Sequence, residues 1–280
     1  MRAGDTTDDW QLTSTVSRSL ISSQGWDQKH MIHSHCNALR TTTFGWGRGS
    51  TFSIQKIIDG HRDGTSPPKF VPNKGMGNGV MMKIAPLALY HALLLNFDQI
   101  NNLKLFVTQA KELGWLTHSD PRAWISAFAV GALIINRTLN ATFDTLLPDE
   151  FIHNLARDVE LIERCFVDKP SDRLLAPLLR EIPHHVGRSE QLVERFGSGF
   201  NVLETMPFVI GTYLRHQRDF RAGVLEAVNA GGDTDTNASI VGALIGATVG
   251  IEGIPHEWRT FRPEFEDALT LGTKLYELIQ

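Results

Sequence analysis

Two clusters of oxygen-bearing side chains stand at opposite ends of this 280-residue chain: Thr7-Asp8-Asp9 near its start and Asp233-Thr234-Asp235-Thr236 near its end. Carboxylates crowded this densely repel one another unless a cation neutralises them, and hard divalent ions such as Mg2+ and Mn2+ favour all-oxygen shells. A fold that joins the two clusters creates a cation site. One that separates them leaves two ordinary helix starts, since Asp and Thr are good caps and the helix dipole favours carboxylates there. Asp8, with Gln11 three residues on, has the spacing of a capping box.

Between the clusters the periodicity is helical. Leu12, Val16 and Leu20 recur every four residues within Trp10–Ser22, and Val80, Ile84, Leu87 and Ala88 repeat the pattern. Phe265, Ala268, Leu269 and Ile279 do so near the end. Further helices are predicted over 27–40, 53–59, 97–113, 121–136, 150–167, 204–215 and 220–229, with loops at 45–49, 66–79 and 168–171. Alternating apolar and polar runs flanked by hairpin turns are almost absent. The prediction is an all-α fold, a compact orthogonal bundle of a dozen or so helices in one domain spanning 1–280. After the second acidic cluster, Ala238, Gly242, Gly246 and Gly250 give one helical face almost no bulk. Each internal Gly costs about 1 kcal/mol of propensity, so this helix is expected at the centre, with neighbouring backbones packed closely and its acidic start held rigidly.

Composition excludes several classes. The net charge of −4, with basic residues interspersed, argues against a nucleic-acid footprint. The apolar run Ala238–Ile251 falls short of the roughly 20 residues that a membrane span needs. Cys36 and Cys165, the only cysteines, are far apart, so no disulfide framework is expected. With no apolar segment at Met1–Asp5, a cytoplasmic location follows as the expectation.

The remaining motifs are individually weak. An EF-hand read from Asp233, Asp235 and Asn237 fails, because position six is Ala238 and position twelve is Leu244. Gly75-Met76-Gly77-Asn78-Gly79 opens into a helix whose N–H groups could cradle phosphate. Its approach, Pro67-Pro68-Lys69-Phe70-Val71-Pro72, is too broken by proline for a Rossmann strand. Gly47-Arg48-Gly49-Ser50-Thr51 lacks the lysine of a phosphate-binding P-loop. Either glycine loop alone reads as a turn. His118 lies in the loop before a predicted helix, and His30, His33 and His35 look like a helix-surface group without the partners a zinc site needs. No Gly-x-Ser-x-Gly nucleophile occurs.

Taken in order, Thr7-Asp8-Asp9, Gly47–Thr51, Gly77-Asn78-Gly79 with Met82 and Ala85-Pro86-Leu87, Thr117-His118 and Gly231–Thr236 resemble the ADP-ribosylglycohydrolase family, which includes the dinitrogenase reductase-activating glycohydrolases. The resemblance runs from Asp5 to Gly250. It implies an all-α fold around two divalent cations, Mg2+ or Mn2+, held by Thr7, Asp8 and Asp9 from one side and Asp233, Asp235 and Thr236 from the other. It further implies that Gly77, Asn78, Gly79 and His118 line a cleft for ADP-ribose, and that the partner is ADP-ribose or an ADP-ribosylated protein. Family members usually carry an N-terminal helix with a Gly-Asp-Ala-Leu-Gly-like stretch and a downstream Glu, which this sequence does not contain. Trp10 stands where a Thr is common, and Lys83 where Arg is usual.

The expected chemistry is hydrolysis of an N- or O-glycosidic bond between ADP-ribose and a side chain by metal-activated water, with Asp8 and Asp9 as the acid/base pair, in a monomer. The alternatives are a catalytically impaired relative that binds ADP-ribose or serves a structural role, and a metal-dependent phosphatase acting on another nucleotide.

Overall fold

The computed structural model describes residues 6–41, 45–69, 75–94, 99–140, 147 and 149–278. Its helices are α1 (Asp8–Ser22), α2 (Gln28–Thr41), α3 (Arg48–Ile58), α4 (Ala85–Leu94), α5 (Gln99–Trp115), α6 (Pro121–Leu139) and α7 (Asp149–Phe166). They continue as α8 (Leu175–Glu181), α9 (Ser189–Phe196), α10 (Val202–Arg215), α11 (Phe220–Asn229), α12 (Thr234–Val249), α13 (His256–Arg259) and α14 (Glu264–Glu277). Among the described residues no strand forms; Gly77 and Asn201 share one isolated bridge. The all-α prediction holds, and no described helix is long and apolar enough to cross a membrane.

Local chemistry explains several boundaries. Pro121 occupies the first turn of α6 while the Asp120 carboxylate accepts from the Arg122 N–H (2.9 Å). Asn201 accepts from the Leu203 N–H (3.0 Å) to start α10, and Asp219 accepts from the Ala222 N–H (2.9 Å) to start α11. Leu12, Val16 and Leu20 are buried as their spacing predicted. Helix α3 begins at Arg48, inside the predicted 45–49 loop and five residues before the predicted start at Ser53. The glycines hide its first turn, whose Ser50 is buried. The 75–79 stretch does not run straight into an α-helix: a 3-10 turn, Met81–Lys83, intervenes before α4. The predicted positions Phe97, Phe70 to Pro72 and Ile279, and the Met1–Asp5 start, lie outside the described residues.

Helix α6 is the best-buried element, and α4, α5, α7, α10 and α12 all pack on it. Helix α12 packs on α1, α6, α10 and α11, as expected of a central helix, but its small-residue stripe is not the face that is buried. Its buried face is Thr236, Asn237, Ile240, Val241, Leu244, Ile245 and Thr248. The small-residue face is half-exposed; Gly242 and Gly246 meet the Phe220 ring of α11 at ordinary van der Waals distance, not a neighbouring backbone. The histidine trio also separates: His33 is exposed, His30 is half-buried against Ser19, and His35 is fully buried, because α2 turns that face onto the core. Both cysteines are free thiols, Cys36 buried and Cys165 exposed.

Candidate functional site

Helices α1 and α12 direct their N-termini at one another, and both starts forgo side-chain capping. A cap is worth about 1 kcal/mol, so its absence at two facing helices signals that the oxygen atoms serve something else. Thr7, at the cap position of α1, donates instead to Asp9 Oδ2 (2.8 Å). Thr236 Oγ1 lies 3.4 Å from the same oxygen, joining the two ends of the chain across 227 positions. Asp233, the cap residue of α12, has its Oδ2 2.7 Å from Asn78 Nδ2. Asp8 does not act as a cap either: it is the first residue of α1, and its carboxylate accepts from the Gly47 N–H (3.0 Å). Gln11 accepts from Trp46 Nε1 (2.7 Å), so no capping box forms.

The electrostatics are those of an uncompensated acidic cluster. Asp9 is 6% exposed, and its Oδ1 is buried without a hydrogen-bond partner. Burial, followed by the charges of Asp8, Asp235 and Asp233, pushes its pKa up to about 7, against the hydrogen bond from Thr7. Burial also raises Asp8, with Asp235 adding to the effect while the Gly47 N–H and Lys83 oppose it. Asp233 is raised by burial and by Asp235, against the Asn78 hydrogen bond. Among the described residues no three acidic, histidine or cysteine side chains already surround one point as a finished ion cage.

Asp8, Asp233, Asp235 and Thr236 line one end of a cleft of about 350 Å3; Gly77, Asn78, Gly79 and His118 line it too. The sequence-predicted residues are thus brought together, with Asp9 and Thr7 behind the cleft surface and not on it. Gly77 and Gly79 form the seat of His118: a Cβ on Gly79 would stand 2.9 Å from His118 Cε1. His118 is buried, with Nδ1 2.7 Å from Thr117 Oγ1, and burial pulls its pKa down to about 3, so the ring is neutral. The Asn78 N–H donates to the Phe200 carbonyl (3.0 Å) and is engaged in the fold, not offered to a phosphate. Its side-chain Nδ2 also reaches Thr205 Oγ1 (3.2 Å), which donates to the Gly199 carbonyl (2.7 Å).

The turn before α12 is built on Ser198. Its carbonyl accepts from the Asp233 N–H (2.9 Å) and from Asn237 Nδ2 (2.8 Å). Gly232, at φ +70°, packs so closely that a Cβ would stand 2.3 Å from that oxygen. Sequence reasoning missed Phe200, 54% exposed on the cleft wall. Its signal is an aromatic in a Gly-Ser-Gly turn where nothing apolar is needed. Arg48, Gly49 and Ser50, read alone as a turn, form the α3 start and line the same cleft next to Asp8.

The family model for ADP-ribosylglycohydrolase matches residues 1–280. ADP-ribosylhydrolase ARH3 of Mus musculus is 24% identical over 291 residues, covering 98% of this chain and 77% of that protein. An uncharacterized protein of Archaeoglobus fulgidus is 28% identical over 280 residues, covering 99% and 82%. A solved structure described as an ADP-ribosylglycohydrolase-related protein complex superposes with a TM-score of 0.69 at 22% identity, over 99% of this chain and 83% of that one.

Proposed function

The chain belongs to the ADP-ribosylglycohydrolase family, and on that premise we propose that it hydrolyses the N- or O-glycosidic bond between ADP-ribose and a modified side chain. The observation that carries this reading is the buried Asp9 carboxylate, with one orphaned oxygen, among three further acidic groups drawn from both ends of the chain.

That donor set fits hard divalent cations. It is all oxygen, it lacks enough positive charge, and the hydroxyls of Thr7 and Thr236 converge on the same carboxylate. Thr7, Asp8, Asp9, Asp233, Asp235 and Thr236 would hold two ions, Mg2+ or Mn2+. Bound there, such ions would supply Lewis acidity at the sugar end of the cleft and make water more acidic.

The residues themselves divide the remaining work. Asp8 lines the cleft and is the group to accept a proton from water as it attacks the anomeric carbon. Asp9, behind the cleft surface, is the second carboxylate of the acid/base pair. Asp233 and Asp235 place negative charge beside the sugar as oxocarbenium character builds, and the bond to the leaving side chain breaks as that side chain takes up a proton from the Asp8/Asp9 pair, which the proton accepted from water replaces. The start of α3 with Arg48 suits a pyrophosphate, and Phe200 offers a face for a base to stack on. Neutral His118 and Asn78 complete the wall without adding charge.

The test is release of ADP-ribose from modified arginine and serine peptides with Mn2+, alongside calorimetry with ADP-ribose. The wild type is expected to turn over, and Asp235→Ala to lose turnover while keeping its fold. Full activity in Asp235→Ala overturns the assignment; ADP-ribose binding without release marks a binding protein, and phosphate release marks a phosphatase.

A further inference from the structure

Three consecutive residues of the loop before α3 each grip the start of α1. Gly45, at φ +81°, lies so close that a Cβ on it would stand 3.4 Å from Thr7 Cα. The Trp46 indole donates through Nε1 to Gln11 Oε1 (2.7 Å), and Gln11 Nε2 in turn donates to the Thr6 carbonyl (3.0 Å). The Gly47 N–H donates to Asp8 Oδ2 (3.0 Å). Gly45 and Gly47 line the cleft, whereas the Trp46 ring between them turns into the core and is 8% exposed. A buried indole N–H needs an acceptor, and an amide suits the middle place because it accepts at oxygen and donates at nitrogen. Gln11 is itself held within α1: its N–H donates to the Thr7 carbonyl (3.3 Å), and Ser14 Oγ and Thr15 Oγ1 donate to its own carbonyl (3.0 and 2.7 Å). Arg48, Gly49 and Ser50 follow Gly47 directly and line the cleft beside Asp8. The grip therefore joins two stretches of the cleft wall that lie 39 positions apart in the chain.

We propose that Trp46 and Gln11 are positioning residues that clasp the α3 start to the Thr6–Asp8 segment, fixing the Asp8 carboxylate relative to a pyrophosphate held at the α3 start. The clasp stands on the hydrogen bonds above; its effect on turnover rests on the hydrolase reading. Neither side chain lines the cleft, so both act through the residues they hold. Loss of either leaves every binding group present but out of register, and a displacement of about 1 Å costs up to a hundredfold in rate. Such a defect falls on kcat and spares KM, because the contacts that bind the substrate remain.

Hydrogen exchange followed by NMR on chelated protein tests the clasp without any ligand. Trp46→Phe keeps an aromatic ring but loses the donor, and Gln11→Met keeps the length but loses both links. Each is expected to speed exchange of the Gly47 amide about fivefold, while the amides of α6 keep their wild-type rates. The double variant should exchange no faster than the faster single. Unchanged Gly47 exchange overturns the clasp, as does equal acceleration in α6, which marks a general loss of stability. Effects that multiply in the double variant show two independent contacts and overturn it too. Turnover of ADP-ribosylated peptide with Mn2+ tests the consequence: both variants should lower kcat about tenfold with KM within about twofold of wild type. An unchanged kcat, or a raised KM in its place, overturns the positioning role. A wild type without turnover sinks the hydrolase reading, and the exchange result then decides the clasp alone. If Trp46→Phe fails to fold, Gln11→Met decides by the same exchange criterion.

Discussion

Replacing Asp9 with asparagine should stabilise the metal-free protein at alkaline pH, although it alters a buried site residue. The Asp9 pKa rises from its ordinary 3.8 to about 7 in the folded state. That difference of roughly three pH units, at about 1.4 kcal/mol each, sets a ceiling of about 4 kcal/mol. The sign follows from which state binds the proton more tightly. Below pH 3.8 the group is protonated in both states and has no effect. As pH rises towards 7 the unfolded chain ionises freely and the folded one does not, so stability falls, and the full cost is present above 7. Asparagine keeps an acceptor for the Thr7 and Thr236 hydroxyls but forgoes the stronger bonds to a charged oxygen, which offsets about 1 kcal/mol. Urea melts in chelator should therefore show Asp9→Asn more stable by about 2–3 kcal/mol at pH 8, with the gap closing near pH 4. Saturating Mn2+ should reverse the ranking, because only the wild type offers the anionic ligand. A variant less stable than wild type at pH 8 in chelator, or a gap that ignores pH, would refute the claim that Asp9 is buried against its preferred charge.

Three further substitutions probe the support around the cluster. Asn78→Ala frees the Asp233 carboxylate and should weaken Mn2+ affinity about tenfold while circular dichroism stays that of the wild type; equal affinity would show that Asp233 needs no tether. Gly232→Ala places a Cβ against the Ser198 carbonyl at positive φ, and should cost about 2 kcal/mol or more in urea melts. Phe200→Ala should leave the melting temperature within a degree or two, as expected of an exposed residue, yet raise KM for ADP-ribosylated peptide several-fold; an unchanged KM removes Phe200 from the binding surface.

How far the sequence carries depends on whether a signal is local. The α1 face was readable because Leu12, Val16 and Leu20 share one side of a helix whatever else surrounds them. The acidic blocks were readable because their density exceeds what capping needs. The start of α3 was not, since Gly47 and Gly49 suppress helix propensity and only packing of Ser50 rescues the turn. Helices α8 and α9 escaped for want of length: seven and eight residues carry too few apolar repeats to separate from loop. The environment of His35 and Lys83 depends on chain segments far away, and no window of sequence contains it. Likewise Gly77 and Gly79 looked like phosphate-binding amides, while their close contact is with the imidazole of His118, known only once the 114–118 turn is placed. The small-residue stripe of α12 misled because small side chains mark a close approach without saying which neighbour approaches.

The contact between Thr236 and Asp9 also sets an order of events during synthesis. Chains emerge from the ribosome N-terminus first, so Asp8 and Asp9 wait, without their acidic partners, until α12 has left the exit tunnel. A nascent or prematurely ended polypeptide can fold its first helices and still have no functional centre. Competence arrives only once Thr236, 227 positions beyond Asp9, has been made and has packed against it.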